Sequence, residues 1–112
     1  MIGSRFNQYR ILWVFVLFDL PTETRKERKI AQNFRKHLVK DGFEMFQLSM
    51  YIRCCSSHEN ADVHSSRVRN QLPEKGKVAI FRITDKQFGM IELFHGVKVV
   101  EKPKTHQQLE LF

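Results

Sequence analysis

One carboxylate in this sequence stands where a charge is costly. Asp19 directly follows the eight apolar residues 11–18, at the carboxyl end of a predicted central strand. Active sites of layered α/β proteins gather at such strand ends, and an isolated buried charge must be paired, hydrogen-bonded or metal-bound. The structural alternative is that Asp19 caps the following helix or accepts backbone hydrogen bonds in the turn before Pro21.

A single carboxylate supplies too few ligands for hydrolysis by a hard metal. Mg²⁺ prefers several oxygen ligands, and nuclease sites usually share several carboxylates. Glu23 and Glu27 lie nearby but are predicted to face solvent on a helix. A two-fold axis near the strand end would bring two copies of Asp19 together, so we expect any catalysis to belong to a homodimer.

A basic segment follows this carboxylate. Residues 21–41 hold seven Lys and Arg against three acids, a local surplus of +4. Arg25, Arg28 and Gln32 lie within one helical stripe that Arg35 or Lys36 extends, so several cations could reach successive phosphates of a nucleic acid. The alternative is an ordinary solvated helix face.

Sulfur and imidazole groups also cluster, at Cys54, Cys55, His58 and His64. Adjacent cysteines rarely occupy two corners of one zinc tetrahedron, and the usual paired spacing is absent. We therefore expect no zinc site and interpret His64 as a packed helix residue.

The length and net charge of the chain exclude several classes of protein. The 112 residues fit one domain and exclude large enzymes with separate cofactor and substrate domains. The net charge of +7 and pI near 9.7 indicate a polyanionic partner, either nucleic acid or an anionic membrane surface. The longest apolar run has eight residues, too short to span a bilayer, and neither a targeting signal nor a disulfide framework is evident. We expect a cytoplasmic protein without a membrane segment.

The spacing of apolar residues, together with the residues that start or stop helices and strands, predicts the elements that position these side chains. A buried strand at 11–18 precedes a helix that opens with a Thr24–Glu27 capping box and closes near Lys40 at Asp41-Gly42. The alternation across 43–53 slips by one residue at Phe46-Gln47, which predicts either one bulged strand or two short strands.

The second half repeats the helix–strand order. A Ser56–Glu59 capping box predicts a helix over about 59–72, stopped by Pro73. Strands are predicted at 78–83, 90–94 and 97–100, with a turn at 95–96.

This order predicts an α+β, ferredoxin-like domain with the split β-α-β-β-α-β arrangement and an extra C-terminal strand. The right-handed crossover rule places two helices on one face of one antiparallel sheet. The other face would then be open and apolar, and we expect a second copy of the chain to cover it in a homodimer packed sheet to sheet.

The predicted domain spans 10–101, after an N-terminal extension at 1–9. The tail at 102–112 is polar until Leu109, Leu111 and Phe112. These apolar residues are predicted either to fray or to dock as a strand on a partner chain or the dimer mate.

Four blocks in order resemble one known family. They are residues 17–28, 34–38, 40–53 and 83–89, the last reading Ile-Thr-Asp-Lys-Gln-Phe-Gly. The chain resembles CRISPR-associated protein two, the small subunit of the spacer-acquisition machinery, also described as a CRISPR-associated endoribonuclease. The last block is similar to the branch found with single-effector (type II) systems.

The resemblance implies a ferredoxin-like homodimer in which Asp19 shares a divalent metal, Mg²⁺, with its symmetry mate. It also implies that Arg28, Arg35 and Arg53 contact nucleic acid. Many members carry Tyr-Asp at the strand end, whereas this chain has Phe18-Asp19, which weakens the nuclease interpretation because a phenolic hydroxyl is missing.

Three functional hypotheses follow. The first is a dimer that binds duplex DNA and bridges CRISPR integrase subunits during spacer acquisition. The second is a Mg²⁺-dependent endonuclease that cuts RNA or DNA through paired Asp19 residues. The third is a self-associating domain whose charge serves only solubility.

Overall fold

The apolar run near the start of the chain forms the central part of the sheet. The computed structural model describes residues 10–103, and β1 (Leu12–Asp19) pairs antiparallel with β3 (Met50–Cys55) on one side and β4 (Lys77–Thr84) on the other. With β2 (Glu44–Gln47) outside β3, the strand order is β2-β3-β1-β4. Nearly every side chain of β1 is buried, as expected for a strand packed on both faces.

Two helices cover one face of this sheet. Helix α1 (Arg25–Lys40) begins at the predicted Thr24–Glu27 capping box and ends where Gly42 takes φ +89°. Helix α2 (His58–Arg69) is capped by Ser57, whose hydroxyl accepts from the backbone N–H of Asn60. The predicted Ser56 cap is therefore wrong by one residue, and the helix ends three residues before the predicted position.

The phase slip between the helices resolves into a hairpin. Strands β2 and β3 are joined at Leu48-Ser49, and the register shifts between Met45 and Gln47. The chain thus forms two short strands, and the slip is a bulge in the first of them.

The helix-side core comes from alternate residues of β1. Leu12, Val14, Val16 and Phe18 pack against α1 and α2, which contribute Ala31, Phe34, Leu38, Ala61 and Val68. Ile30, predicted to share this stripe, is 42% exposed. The order β-α-β-β-α-β and the antiparallel sheet confirm the predicted α+β, ferredoxin-like class.

The other sheet face is half covered by an element that the sequence reading missed. Helix α3 (Asp85–Gly89) follows β4 and opens with a Thr84–Gln87 capping box. Phe88 stacks on Trp13 with ring centroids 3.9 Å apart, and Trp13 Nε1 donates to the buried Asp85 Oδ1 at 2.7 Å. The expectation of a fully open face is therefore wrong at the Trp13 end.

The same face is less covered toward the other end of β1. Leu17 and Met50 are half-buried there, Ala79 is exposed, and Phe81 is 42% exposed. Apolar side chains remain in contact with solvent on this half. The homodimer stays a prediction, and this half of the sheet face is the surface through which we expect it to form.

The end of the described chain differs from the prediction. Strands β5 (Phe94–His95) and β6 (Lys98–Val99) form a separate two-stranded sheet around Gly96, and the extra strand does not join the main sheet. The strand predicted to begin at Met90 is wrong, because the chain is irregular between α3 and Phe94. The predicted extension at 1–9 and the docking residues Leu109, Leu111 and Phe112 lie outside the described residues. No helix within residues 10–103 is both long and apolar enough to cross a membrane.

Candidate functional site

Asp19 is the last residue of β1 and is exposed. Strand alternation places its side chain on the face of Trp13, Phe15 and Leu17, opposite Lys77 of β4. The carboxylate is not buried, so the cost of an isolated buried charge does not apply to it. Asp19 is not the cap of α1 either, because Thr24 fills that role.

Main-chain contacts fix the end of β1. The backbone N–H of Phe18 donates to the carbonyl of Ser49 at 3.0 Å, and Ser49 itself adopts φ +63°. On the other side Gly76, with φ +92°, lies so close that an added Cβ would come 2.7 Å from the carbonyl oxygen of Asp19. The hairpin loop and the turn before β4 therefore hold Asp19 from both sides.

The surroundings of Asp19 form a shallow, open depression of about 550 Å³. Apolar residues dominate its lining, and among the described residues that line it Lys77 is the one cation. Its lining comprises Leu17, Phe18, Asp19, Gln47, Leu48, Ser49, Met50, Lys77, Val78 and Ala79. A carboxylate on the rim of an uncovered apolar surface is accessible to a second macromolecule.

The described part of one chain does not gather a set of magnesium ligands around Asp19. Within residues 10–103, no three His, Cys, Asp or Glu side chains lie close enough to hold a metal ion. Mg²⁺ takes about six oxygen ligands, and one carboxylate does not supply enough of them. A metal shared by two Asp19 residues needs the second chain and stays a prediction.

Phe18 stands where many members of the family that the sequence resembles have a tyrosine before the aspartate. Its ring is buried on the helix side, edge-on to Phe34 with centroids 5.2 Å apart. The side chain of Asp19 projects from the opposite face, so the ring of residue 18 points away from the carboxylate. The missing hydroxyl is thus remote from the acid in a single chain.

The two cysteines face opposite sides of the sheet. Cys55 packs in the helix-side core, whereas Cys54 packs with Trp13 and Phe15 on the other face. Burial raises the pKa of the Cys54 thiol to about 11 and also raises the pKa of Cys55. Because the two thiols lie on opposite faces of the sheet, they do not converge on one tetrahedral metal site.

The four predicted nucleic-acid-binding arginines have different surroundings. Arg25 is exposed at the first residue of α1, and Arg35 is half-buried near Lys36 and Tyr51. Arg28 Nη1 donates to the carbonyl oxygens of Thr22 and Glu23, each at 3.0 Å.

Arg53 is the most constrained of them. Its Nε donates to the carbonyl of Asp41 at 2.8 Å and its Nη1 to that of Cys54 at 2.8 Å, beneath Gly42. The four arginines thus differ in how far main-chain hydrogen bonds occupy them, and their contacts with nucleic acid stay predictions.

A polar cluster between the two helices was missed by sequence reasoning. His64 Nδ1 donates to Asp41 Oδ2 at 2.8 Å, and Arg67 Nη1 donates to Asp41 Oδ1 at 2.7 Å. Burial alone would raise the pKa of Asp41, but the hydrogen bonds from His64 and Arg67 outweigh it and lower that pKa. His64 is 5% exposed, which confirms it as a packed helix residue.

Comparison with known proteins identifies the family. The family model described as CRISPR associated protein Cas2 matches residues 12–91. A protein of Flavobacterium psychrophilum named CRISPR-associated endoribonuclease Cas2 is 67% identical over 109 residues, covering 97% of this chain and 95% of the relative.

More distant relatives carry the same name. One from Parvibaculum lavamentivorans is 46% identical over 101 residues, covering 90% of this chain and 100% of the relative. One from Campylobacter jejuni is 38% identical over 113 residues, covering 100% of this chain and 76% of the relative. The matched region contains the whole four-stranded sheet, α1, α2, α3 and Asp19. With this fold and these matches, the chain belongs to the CRISPR-associated Cas2 family.

Proposed function

We propose that this chain acts in CRISPR spacer acquisition as a homodimer that binds duplex DNA and bridges integrase subunits. Membership of the Cas2 family supports the CRISPR context. The observation that carries the DNA-binding part is the charge distribution of α1.

Helix α1 is a cationic surface with one acid. Its 16 residues include seven Lys and Arg, and its single acid is Glu27. The carboxylate of Glu27 is engaged at the helix start, where it accepts from the backbone N–H groups of Glu23 and Thr24. The exposed cations of α1 therefore have no competing acid on their own helix, which suits contacts with phosphates and gives no base readout.

A second copy would extend this surface. The half-covered sheet face near Leu17 and Phe81 offers apolar area that another copy of the same face can bury. In such a dimer two α1 helices flank the shared sheets, and their cations act on one duplex. The dimer also presents each integrase contact twice, as a bridge between two integrase subunits requires.

Spacer integration with the integrase subunit tests this proposal. Arg35→Glu reverses one α1 charge, and Lys98→Glu reverses one exposed charge on the β5–β6 hairpin as the matched control. We expect Arg35→Glu to reduce duplex affinity and integration, and Lys98→Glu to change neither. Equal losses in both variants, or wild-type affinity no greater than that of another protein of equal charge, would leave only the solubility role.

A metal-dependent endonuclease is the second candidate, and Asp19 favours it. The relatives are named endoribonucleases, and the exposed carboxylate lies beside the apolar surface that a second copy would cover. Two Asp19 residues across a two-fold axis would hold the divalent ion, for which Mg²⁺ is the expected metal. A bound Mg²⁺ would supply charge stabilisation at the scissile phosphate.

Asp19→Ala separates the two candidates. If cleavage of RNA or DNA belongs to this chain, the variant loses Mg²⁺-dependent cleavage and keeps duplex binding. If bridging is the main role, the same variant still supports integration. Cleavage retained by purified Asp19→Ala would identify a contaminating nuclease and remove the catalytic assignment.

A further inference from the structure

The connection from Asp19 to α1 is held by two side chains of the helix that it enters. Arg28 Nη1 donates to the carbonyl oxygens of Thr22 and Glu23, each at 3.0 Å. Glu27 Oε1 accepts from the backbone N–H of Glu23 at 3.1 Å and of Thr24 at 3.0 Å. Residue 23 is therefore bound through both its N–H and its carbonyl group.

The two contacts from one nitrogen occupy the donor capacity of Nη1. Each terminal nitrogen of a guanidinium carries two hydrogens, and here there are two carbonyl acceptors. Arginine binds a phosphate most strongly as a fork, with two parallel N–H donors. With Nη1 engaged on the main chain, the edge formed by the two terminal nitrogens is no longer free for that fork, and the edge formed by Nε and Nη2 is the one that remains.

The segment between Asp19 and Thr22 is short and stiff. Pro21 fixes its own φ, and it restricts Leu20 to extended conformations. Few soft dihedral angles remain to absorb movement of Thr22, so disorder at Thr22 reaches the end of β1. Strand ends open locally more readily than strand centres. Hydrogen bonds that hold the loop after β1 would therefore reduce local opening at Asp19.

We propose that Arg28 is a positioning residue that clamps the 20–24 loop and thereby holds the Asp19 carboxylate at the end of β1. The inference rests on the proposed function in which Asp19 acts, and it gives Arg28 a main-chain role, with Arg25 as the neighbouring exposed cation for comparison. Arg25 lies one turn earlier, is exposed and has its charge available to a nucleic acid.

Three variants test the clamp. Arg28→Met removes every donor but keeps an apolar stem, Arg28→Gln removes the charge but keeps a donor, and Arg25→Gln is the matched control for charge. We expect Arg28→Met to accelerate backbone hydrogen exchange over 20–24 by about tenfold, with Arg28→Gln substantially restoring the wild-type rate. Unchanged exchange in Arg28→Met would overturn the proposal.

The salt dependence of duplex binding separates positioning from phosphate contact. Loss of one phosphate contact lowers the slope of log affinity against log salt by about 0.9. We expect that decrease in Arg25→Gln and an unchanged slope in both Arg28 variants. A decrease of that size in either Arg28 variant overturns the proposal, whatever its exchange shows.

The kcat and KM of Mg²⁺-dependent cleavage give a second measurement, which a change in loop stability alone would not alter. Arg28→Met is expected to lower kcat by up to about 100-fold with KM unchanged, and Arg28→Gln to recover most of it. Arg25→Gln is expected to raise KM with kcat unchanged. A raised KM in Arg28→Met would instead identify Arg28 as a substrate contact. If the wild type neither binds duplex nor cleaves, the proposed function fails and the exchange result alone decides whether the clamp exists.

Discussion

Replacing Gly76 by alanine should both destabilise the fold and disturb Asp19. Gly76 lies in the turn before β4 with φ +92°, and its missing side chain makes room for the end of β1. A Cβ there would come 2.7 Å from the carbonyl oxygen of Asp19 and 2.8 Å from Cδ2 of Leu20. The Leu20 methyl can rotate away, but the carbonyl oxygen moves only if the backbone of β1 moves with it.

The expected cost has two parts. A positive φ disfavours an alanine by about 1–2 kcal/mol. Forcing extra atoms into a packed site costs about 1–3 kcal/mol more. Gly96 supplies the control, because it has φ +63° but no heavy atom within 4 Å of an added Cβ. Gly96→Ala should therefore lose about 1–2 kcal/mol, and Gly76→Ala about 2–5 kcal/mol.

Urea unfolding of both variants at one protein concentration measures the difference, since self-association makes stability concentration-dependent. Any Asp19-dependent cleavage should fall in Gly76→Ala and stay at the wild-type level in Gly96→Ala. Equal destabilisation of the two variants, within about 0.5 kcal/mol, would refute the close approach at Asp19, because the conformational part is common to both.

Three further predictions concern the core and its polar groups. Trp13→Phe should lose about 1.5–3 kcal/mol in urea unfolding, and in a double-mutant cycle with Asp85→Ala, which removes the acceptor, the two losses should not be additive; additive single losses would contradict a stabilising hydrogen bond between them. Asp41→Asn should cost about 1–2 kcal/mol near pH 7. The pKa of Asp41 is lowered in the folded chain, so its contribution is present above the ordinary carboxyl pKa and fades as acid protonates it. A gap between wild type and variant that does not narrow as the pH falls would refute the carboxylate paired with His64 and Arg67 as its source. Cys54, with a pKa of about 11, should react with iodoacetamide far more slowly in the folded chain than in urea, since about one thiol in a thousand is ionised at pH 8.

The main elements were predictable because their signals are local. Thr24 and Glu27 are three residues apart and identify the start of α1 without any knowledge of the fold. The phase slip near Phe46 was visible as a change of alternation, and the structure resolves it into a hairpin with a bulge. Helix α2 was found with its cap misplaced by one residue, since Ser56 and Ser57 are adjacent and both fit.

Helix α3 was missed because five residues are too few for periodicity to show. Its capping box at Thr84 and Gln87 was the one local signal available. Its partner Trp13 lies 72 residues away from Asp85. The same limit hid the Asp41–His64 bond, which joins groups 23 residues apart. No short-range pattern encodes such pairs. The packing of α3 on β1 brings the first pair together, and the packing of α2 beside the end of α1 brings the second together.

The position of α3 constrains any second copy of the chain. It covers the Trp13 end of the sheet face, so the apolar surface still open lies toward Leu17 and Phe81. Asp19 projects from that same half, at the rim of the same depression. If a second copy buries this surface, assembly and the pairing of the two carboxylates are one event. Phe81→Glu should then weaken dimerisation and Asp19-dependent cleavage in parallel as protein concentration falls, because cleavage requires the dimer that this surface forms.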